Sequence, residues 1–225
     1  RWLMAAGLAA IAFTQTAPAA AQTTIRIASS SESLAYIPVY AADALGYFKQ
    51  QGIVLNRTIV AGPSAIAAVA SGNLDVVMGA TGNPVLANKS GADVLIVGSM
   101  TRQFGPGIVV SKKWTDSHKL TAQSSTKDKI AALKGISISV QQAGGGSDQL
   151  LRLIAEEGGL VYDRDMTVTS IPDQQAQIAA ITNGRVDAIV TTPPYSNMTA
   201  RAIGGLLMLN SGIGEIESLD GYLGS

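Results

Sequence analysis

The chain contains no cysteine and a single histidine, His118. Disulfide frameworks, zinc–thiolate sites and thiol nucleophiles are thereby excluded, and no site built from several histidines can form. A Ser-His-Asp triad would have to use His118, which stands in the polar stretch 112–119 and is expected on a solvated surface loop. Charge is scarce as well. Charged residues make up 14 %, 16 basic side chains balance 16 acidic ones, and no block of like sign occurs. A nucleic acid or a membrane surface, either of which calls for a basic stripe, is not an expected partner. No metal or organic cofactor is expected either.

The one long apolar run lies at the start. Arg1, the run from Trp2 to Phe13, polar Thr14-Gln15-Thr16 and the small-residue end Pro18-Ala19-Ala20-Ala21 have the layout of a secretory signal, residues 1–21, with cleavage expected after Ala21. The run is too short to span a bilayer comfortably. No cysteine follows the cleavage site to carry a lipid, so a soluble periplasmic protein is expected, and a monomer.

With 47 % hydrophobic residues over 225 positions, the chain can bury one large core or two small ones. From Thr24 onward, short β-rich runs alternate with helix-patterned segments, as in a parallel α/β sheet. Expected strands are Ile25–Ala28, Ile53–Val60, Leu74–Met78, Val94–Met100, Ile108–Ser111, Ile136–Val140, Val168–Ile171, Ala188–Thr191 and Leu206–Leu209. Between them the spacing predicts helices over Ile37–Phe48, with its apolar positions on one face and Gly46 and Gly52 breaking it, from Gly62 to Ser71, from the loop 79–84 to a stop at Gly91, over Lys127–Lys134, Ser147–Glu157 and Asp173–Asn183, and from Tyr195 to about Ile203. Trp114–Thr126, polar and without period, is expected as loop.

One unit occurs twice. Residues 66–78 read Ile-Ala-Ala-Val-Ala-Ser-Gly-Asn-Leu-Asp-Val-Val-Met, and residues 178–190 read Ile-Ala-Ala-Ile-Thr-Asn-Gly-Arg-Val-Asp-Ala-Ile-Val. At an offset of 112, Ile, Ala, Ala, Gly and Asp coincide. A small-residue helix face packs closely on a sheet, Gly closes the helix in the left-handed conformation, and Asp75 or Asp187 marks the turn into a buried strand. Two such units imply two lobes, expected over residues 22–107 and 108–209, facing each other across a cleft at the carboxyl ends of their strands.

The loops at those strand ends are rich in Ser, Thr, Asn, Gln and Gly. They put forward Ser30, Ser31, Ser64, Thr81, Asn83, Gln142, Gly145, Ser147 and Thr192 as ligand contacts, with Tyr36 and Tyr195 as walls of the cleft. Each polar residue among them is equally suited to be an ordinary helix cap. As a set preceding helices they offer neutral donors and free backbone N–H groups, an arrangement suited to anions. Arg102 is the one basic side chain with a candidate anion role. Gly144-Gly145-Gly146-Ser147 lacks the Gly-x-Gly-x-x-Gly spacing, no Gly-Lys-Ser/Thr occurs, and no Gly-x-Ser-x-Gly elbow or carboxylate pair stands on these loops. An enzyme would have to use Asp173 or Tyr195 as its acid–base group.

The residues 44–53 (Ala-Leu-Gly-Tyr-Phe-Lys-Gln-Gln-Gly-Ile), 68–76 and 183–188 (Asn-Gly-Arg-Val-Asp-Ala), with Leu133-Lys134-Gly135-Ile136 before a Gly/Ser loop, carry a resemblance. The chain resembles the periplasmic substrate-binding proteins of ABC importers of the nitrate/sulfonate/taurine type, from about Ile25 to Leu209. The resemblance implies a two-lobed, type II periplasmic-binding-protein-like α/β fold that closes on a small solute and delivers it to an inner-membrane ABC permease. It also implies a C-terminal segment returning to the first lobe, of which residues 210–225 are expected to be only the start. Related pyrimidine-precursor proteins share the fold and some are enzymes, but their cysteine-rich signature cannot exist here.

Overall fold

The structure is a computed structural model and describes residues 22–101 and 105–210. The first sheet is built from β1 (Thr23–Ser29), β2 (Ile53–Ile59) and β3 (Val76–Met78), in the order β2-β1-β3 and parallel throughout. A 3-10 turn, Leu34–Tyr36, leads into α1 (Ile37–Ala44), and α2 (Tyr47–Gln50), α3 (Gly62–Ala70) and α4 (Gly82–Lys89) complete this unit. The second sheet takes β4 (Gly107–Val110), β5 (Ser137–Val140), β6 (Thr167–Ser170), β7 (Ala188–Thr191) and β8 (Leu206–Met208), in the order β6-β5-β7-β4-β8. Around it lie α5 (Lys112–Ser117), α6 (Thr126–Ala131), α7 (Gly146–Glu157), α8 (Tyr162–Asp165), α9 (Gln174–Thr182) and α10 (Tyr195–Ala202). This is a mixed α/β fold with two sheets. Among the described residues, no helix is long and apolar enough to cross a membrane.

The duplicated unit has one geometry in both copies. Gly72 (φ 73°) and Gly184 (φ 67°) stand in the left-handed region just past α3 and α9. The amide of Asn73 reaches back to Ala68 O at 2.8 Å and that of Gly72 to Val69 O at 2.9 Å. Arg185 and Gly184 repeat this on Ala180 O and Ile181 O at 2.8 and 3.1 Å. This paired closure satisfies carbonyls that a helix end otherwise leaves open. The following Asp then brackets a residue of the neighbouring strand. Asp75 donates its N–H to Arg26 O and accepts from Arg26 N at 2.7 Å. Asp187 does the same on Ser137, at 2.7 Å to the carbonyl and 3.2 Å from the amide.

The main core belongs to the second sheet. β4 and β7 are buried along their whole length, and Leu133, Ile138, Leu151, Ile154 and Met208 close around them. The first sheet carries a smaller core around Ile27, Tyr36 and Met78. Ala80, at the end of β3, packs into the large core and so ties the two units together.

Several expectations need correction. The sheet of the second unit is not purely parallel, because β4 runs antiparallel to both β7 and β8. It arrives from the first unit rather than through a strand–helix–strand crossover, so nothing imposes the parallel sense. Val94–Met100 forms no strand. Its repeat equivalent, 112 residues on, is β8 with its flank, which pairs with β4, whereas 94–98 makes no ladder with the edge strand β3, from which an apolar cavity separates it. Val94 is buried, but Leu95 and Val97 are 80 % and 87 % exposed. The helix expected over Ile37–Phe48 is broken at Gly46 (φ 76°), as its glycine suggests, into α1 and α2, and no residue of α1 is fully buried. Trp114–Thr126 is not all loop: α5 is capped by Ser111, and Trp114 donates from Nε1 to Ala132 O at 3.0 Å. Six residues with one large apolar side chain leave no helical period to detect. For the same reason the four-residue α8 had no signal. His118 ends α5, exposed, its ring stacked on Trp114 at 4.3 Å.

The expected signal segment, residues 1–21, lies outside the described residues, as do Arg102 and residues 211–225 of the expected return segment.

Candidate functional site

β1, β3, β5 and β7 all end toward one place, and a cavity of about 290 Å³ lies there, walled by both units. From the first come Ser30, Ser31 and Tyr36 after β1, Ala61 and Gly62 at the start of α3, and Asn83 of α4. From the second come Gln141 and Gln142 after β5, Gly145 to Ser147 at the start of α7, and Thr192 and Pro193 after β7. Parallel strands put all their carboxyl ends on one edge, which is why loops so far apart in sequence converge.

The two units touch around this cavity. Gln149 Nε2 donates to Asn83 Oδ1 at 2.7 Å, Gln142 Nε2 to Ser64 Oγ at 3.2 Å, and Leu34 N to Pro193 O at 3.4 Å. A Cβ at Gly62 would stand 3.1 Å from the Gln142 side chain, and one at Gly144 would stand 3.2 Å from Pro63. Both glycines also have positive φ, 60° and 73°. Glycine is needed there on two counts, a left-handed backbone and close approach of the lobes.

No charged side chain lines the cavity among the described residues. Its polar groups are neutral. Ser30 Oγ and Tyr36 OH are 2.5 Å apart and fix each other, with the tyrosine 4 % exposed. Thr192 Oγ1 is buried and has no hydrogen-bond partner among the described residues. α3 and α7 present their first turns to the cavity, and no side chain of the cap residues Ala61 and Gly145 closes them. Of the helices away from it, α5, α6 and α9 are closed by Ser111, Ser125 and Asp173, while α2, α8 and α10 carry no side-chain cap either. Open first turns leave N–H groups and the positive end of the helix dipole facing the space.

The glycine loop is held from behind. Asp148, 1 % exposed, accepts from Gly144 N at 2.8 Å, from Arg152 Nε at 2.9 Å and from the Tyr162 hydroxyl. Burial, and then the bond to Asp148, push the Tyr162 phenol above its ordinary range. The guanidinium of Arg152 covers the Tyr162 ring at 3.8 Å. These charges support the loop and do not line the cavity.

Of the residues put forward from sequence, Ser30, Ser31, Tyr36, Asn83, Gln142, Gly145, Ser147 and Thr192 line the cavity. Three do not. Ser64 is exposed at the rim, where it receives the Gln142 bond. Thr81 lines a separate, mostly apolar cavity of about 140 Å³ between α3, β3 and residues 94–98. Tyr195 lies at the start of α10, behind the Pro193-Pro194 turn, and lines neither. Ser64 and Tyr195 lie within the first turns of α3 and α10, and Thr81 precedes α4, where a helix turns successive side chains to different faces. Asp173, the other suggested acid–base group, caps α9 through a 2.7 Å bond from Ala176 N and is also absent from the lining. Sequence reasoning missed Gln149, Asp148 and Pro106. Gln149 had a usable signal, since it falls one turn into the helix that the glycine loop opens.

Two α/β units closing on a shared cavity at their strand ends have the fold of the periplasmic solute-binding proteins. Solved structures share it. The alkanesulfonate-binding protein SsuA from Xanthomonas axonopodis pv. citri, bound to MOPS, matches with TM-score 0.64 and 24 % identity, over 87 % of this chain and 64 % of its own. The periplasmic nitrate-binding protein NrtA from Synechocystis PCC 6803 matches with TM-score 0.64 and 17 % identity, over 84 % and 52 %. In sequence, the chain is 29 % identical over 154 residues to the aliphatic sulfonates-binding protein of Escherichia coli (strain K12), which covers 68 % of this chain. The chain spans 43 % of that relative's length. The NMT1-like family model matches residues 2–213, and the chain belongs to the NMT1-like family.

Proposed function

We propose that this protein is the substrate-binding component of an ABC importer, capturing a compact anion such as a sulfonate, nitrate or a taurine-like solute between its lobes and presenting it to an inner-membrane permease. One observation carries the reading: a cavity reached from both units, lined by neutral donors and by the open first turns of α3 and α7, with no charged side chain among the described lining residues. Such a site holds an anion by fixed N–H and O–H groups and dipoles. The relatives that bind alkanesulfonates and nitrate support the same class of solute.

The contacts in this reading are Ser30, Ser31, Asn83, Gln142, Gly145, Ser147 and Thr192, with Tyr36 as a wall. The lobes are residues 22–107 and 108–209, the protein works in the periplasm as a monomer, and residues 1–21 direct its export. It binds its solute without transforming it. In support, the two suggested acid–base groups, Asp173 and Tyr195, do not line the cavity.

Titration calorimetry of the protein against methanesulfonate, taurine, nitrate, methylphosphonate and a pyrimidine tests the reading, with mass spectrometry of each mixture. One-to-one binding of a compact anion, recovered unchanged, is expected. Binding of none of the anions, or a changed solute, contradicts it.

A further inference from the structure

Asn83 is 8 % exposed and lines the cavity from α4. Its Oδ1 accepts from Gln149 Nε2 at 2.7 Å. Gln149 stands on α7, across the cleft, and the same nitrogen donates to Gly144 O at 2.9 Å. A side-chain amide nitrogen has two protons, so both protons of Gln149 are engaged by these two acceptors. Gln149 therefore offers Asn83 a donor only, and Asn83 answers with its oxygen. What Asn83 retains for an occupant of the cavity is its own nitrogen, with two N–H groups.

We infer that Gln149 is a positioning residue that fixes the Asn83 amide across the closed cleft with its donor end free, so that the site selects acceptor-only solutes. The inference rests on the proposed solute-binding function and deepens it. α4 belongs to the first unit and α7 to the second, so the bond exists only while the lobes are closed. In an open cleft the Asn83 amide can present either end. Closure thus sets the polarity of the site. An oxyanion meets N–H groups, while a solute headed by an ammonium or guanidinium meets donors against donors and is rejected. The bond from Gln149 to Gly144 O adds the glycine loop to the same clamp.

Two substitutions separate the roles. Gln149→Leu removes the clamp. Asn83→Asp keeps an acceptor for Gln149 but places a second carboxylate oxygen where the N–H groups were. Small-angle scattering without solute reads the clamp: Asn83→Asp matches the wild type, and Gln149→Leu has the larger radius of gyration. Equal radii for the wild type and Gln149→Leu overturn the clamp. Calorimetry with methanesulfonate and nitrate as probes reads the selection. Gln149→Leu weakens binding about tenfold, the scale of one lost hydrogen bond. Asn83→Asp weakens it about a hundredfold, through like-charge contact, while its melting temperature and scattering stay those of the wild type. Retention of probe affinity within about twofold in Asn83→Asp overturns the selection. A wild type that binds neither probe defeats the proposed function instead, and the scattering comparison still decides the clamp.

Discussion

The Thr192 hydroxyl is buried at the cavity wall without a protein partner among the described residues. Burying a hydroxyl without a partner costs free energy. Thr192→Val keeps the shape and removes that group. The variant should melt at the wild-type temperature or slightly above it, and calorimetry should show about fivefold weaker binding of the anion. Asp75 offers a second test at this scale. The Arg26 side chain and then its backbone N–H hold the Asp75 carboxyl at about 2, against an ordinary 3.8. The folded state therefore binds this proton more weakly than the unfolded chain. The resulting stabilisation is fully present above the ordinary value and is lost as pH falls through about 2. In denaturant titrations, the stability gap between wild type and Asp75→Asn should be constant near neutrality and shrink on acidification below pH 4 or so. A gap that widens there contradicts the assignment.

At the scale of elements, the Gly-x-x-Asp units are structural in both copies. Gly72 and Gly184 have positive φ, and a Cβ on either meets nothing within 4 Å. The cost of alanine at these positions is then conformational alone, about 1 kcal/mol each. Gly72→Ala and Gly184→Ala should lower the denaturation midpoint by similar amounts and leave anion affinity unchanged. This pairing was legible in the sequence because the repeat shows it twice, with turn chemistry that permits few alternatives. Helices α3, α7 and α9 and the buried strands β4, β5 and β7 were legible too, from period, Gly stops and segments rich in Ile and Val. What escaped was decided by partners distant in sequence. Residues 94–100 have the composition of a strand, but a strand requires a ladder with a neighbour, and composition does not say whether one forms. The sense of β4 depends on which unit the chain comes from. The short α5 and α8 depend on tertiary packing, such as Trp114 against Ala132, rather than on pattern.

For the molecule as a whole, the two units are unequal. The second has five strands and most of the fully buried side chains; the first has three strands and a core centred on Ile27, Tyr36 and Met78. Opening free energies follow buried apolar contact. Native-state hydrogen exchange should show the amides of β4, β5 and β7 protected longest and those of β1 and β3 exchanging through a less costly opening. Uniform protection would contradict this division. The same inequality shaped how much of the site could be read from sequence. Strand-end loops were sufficient to nominate the cavity, because parallel strands bring their ends together. They could not show which side chains turn inward, as Ser64, Thr81 and Tyr195 demonstrate, nor reveal a clamp residue such as Gln149, which acts one helical turn from the loop.

The central claim is that a compact anion sits between the lobes on the open first turns of α3 and α7. Glycine amides at those turns report it directly: Gly62, Gly145 and Gly146 all line the cavity. In protein labelled with nitrogen-15 at glycine, the anion that binds most tightly should shift these three amide resonances together, saturating at one equivalent. The resonances of Gly72 and Gly184, away from the cavity, should stay in place. Binding that leaves all three cavity amides unmoved, or that moves only amides elsewhere, contradicts the account.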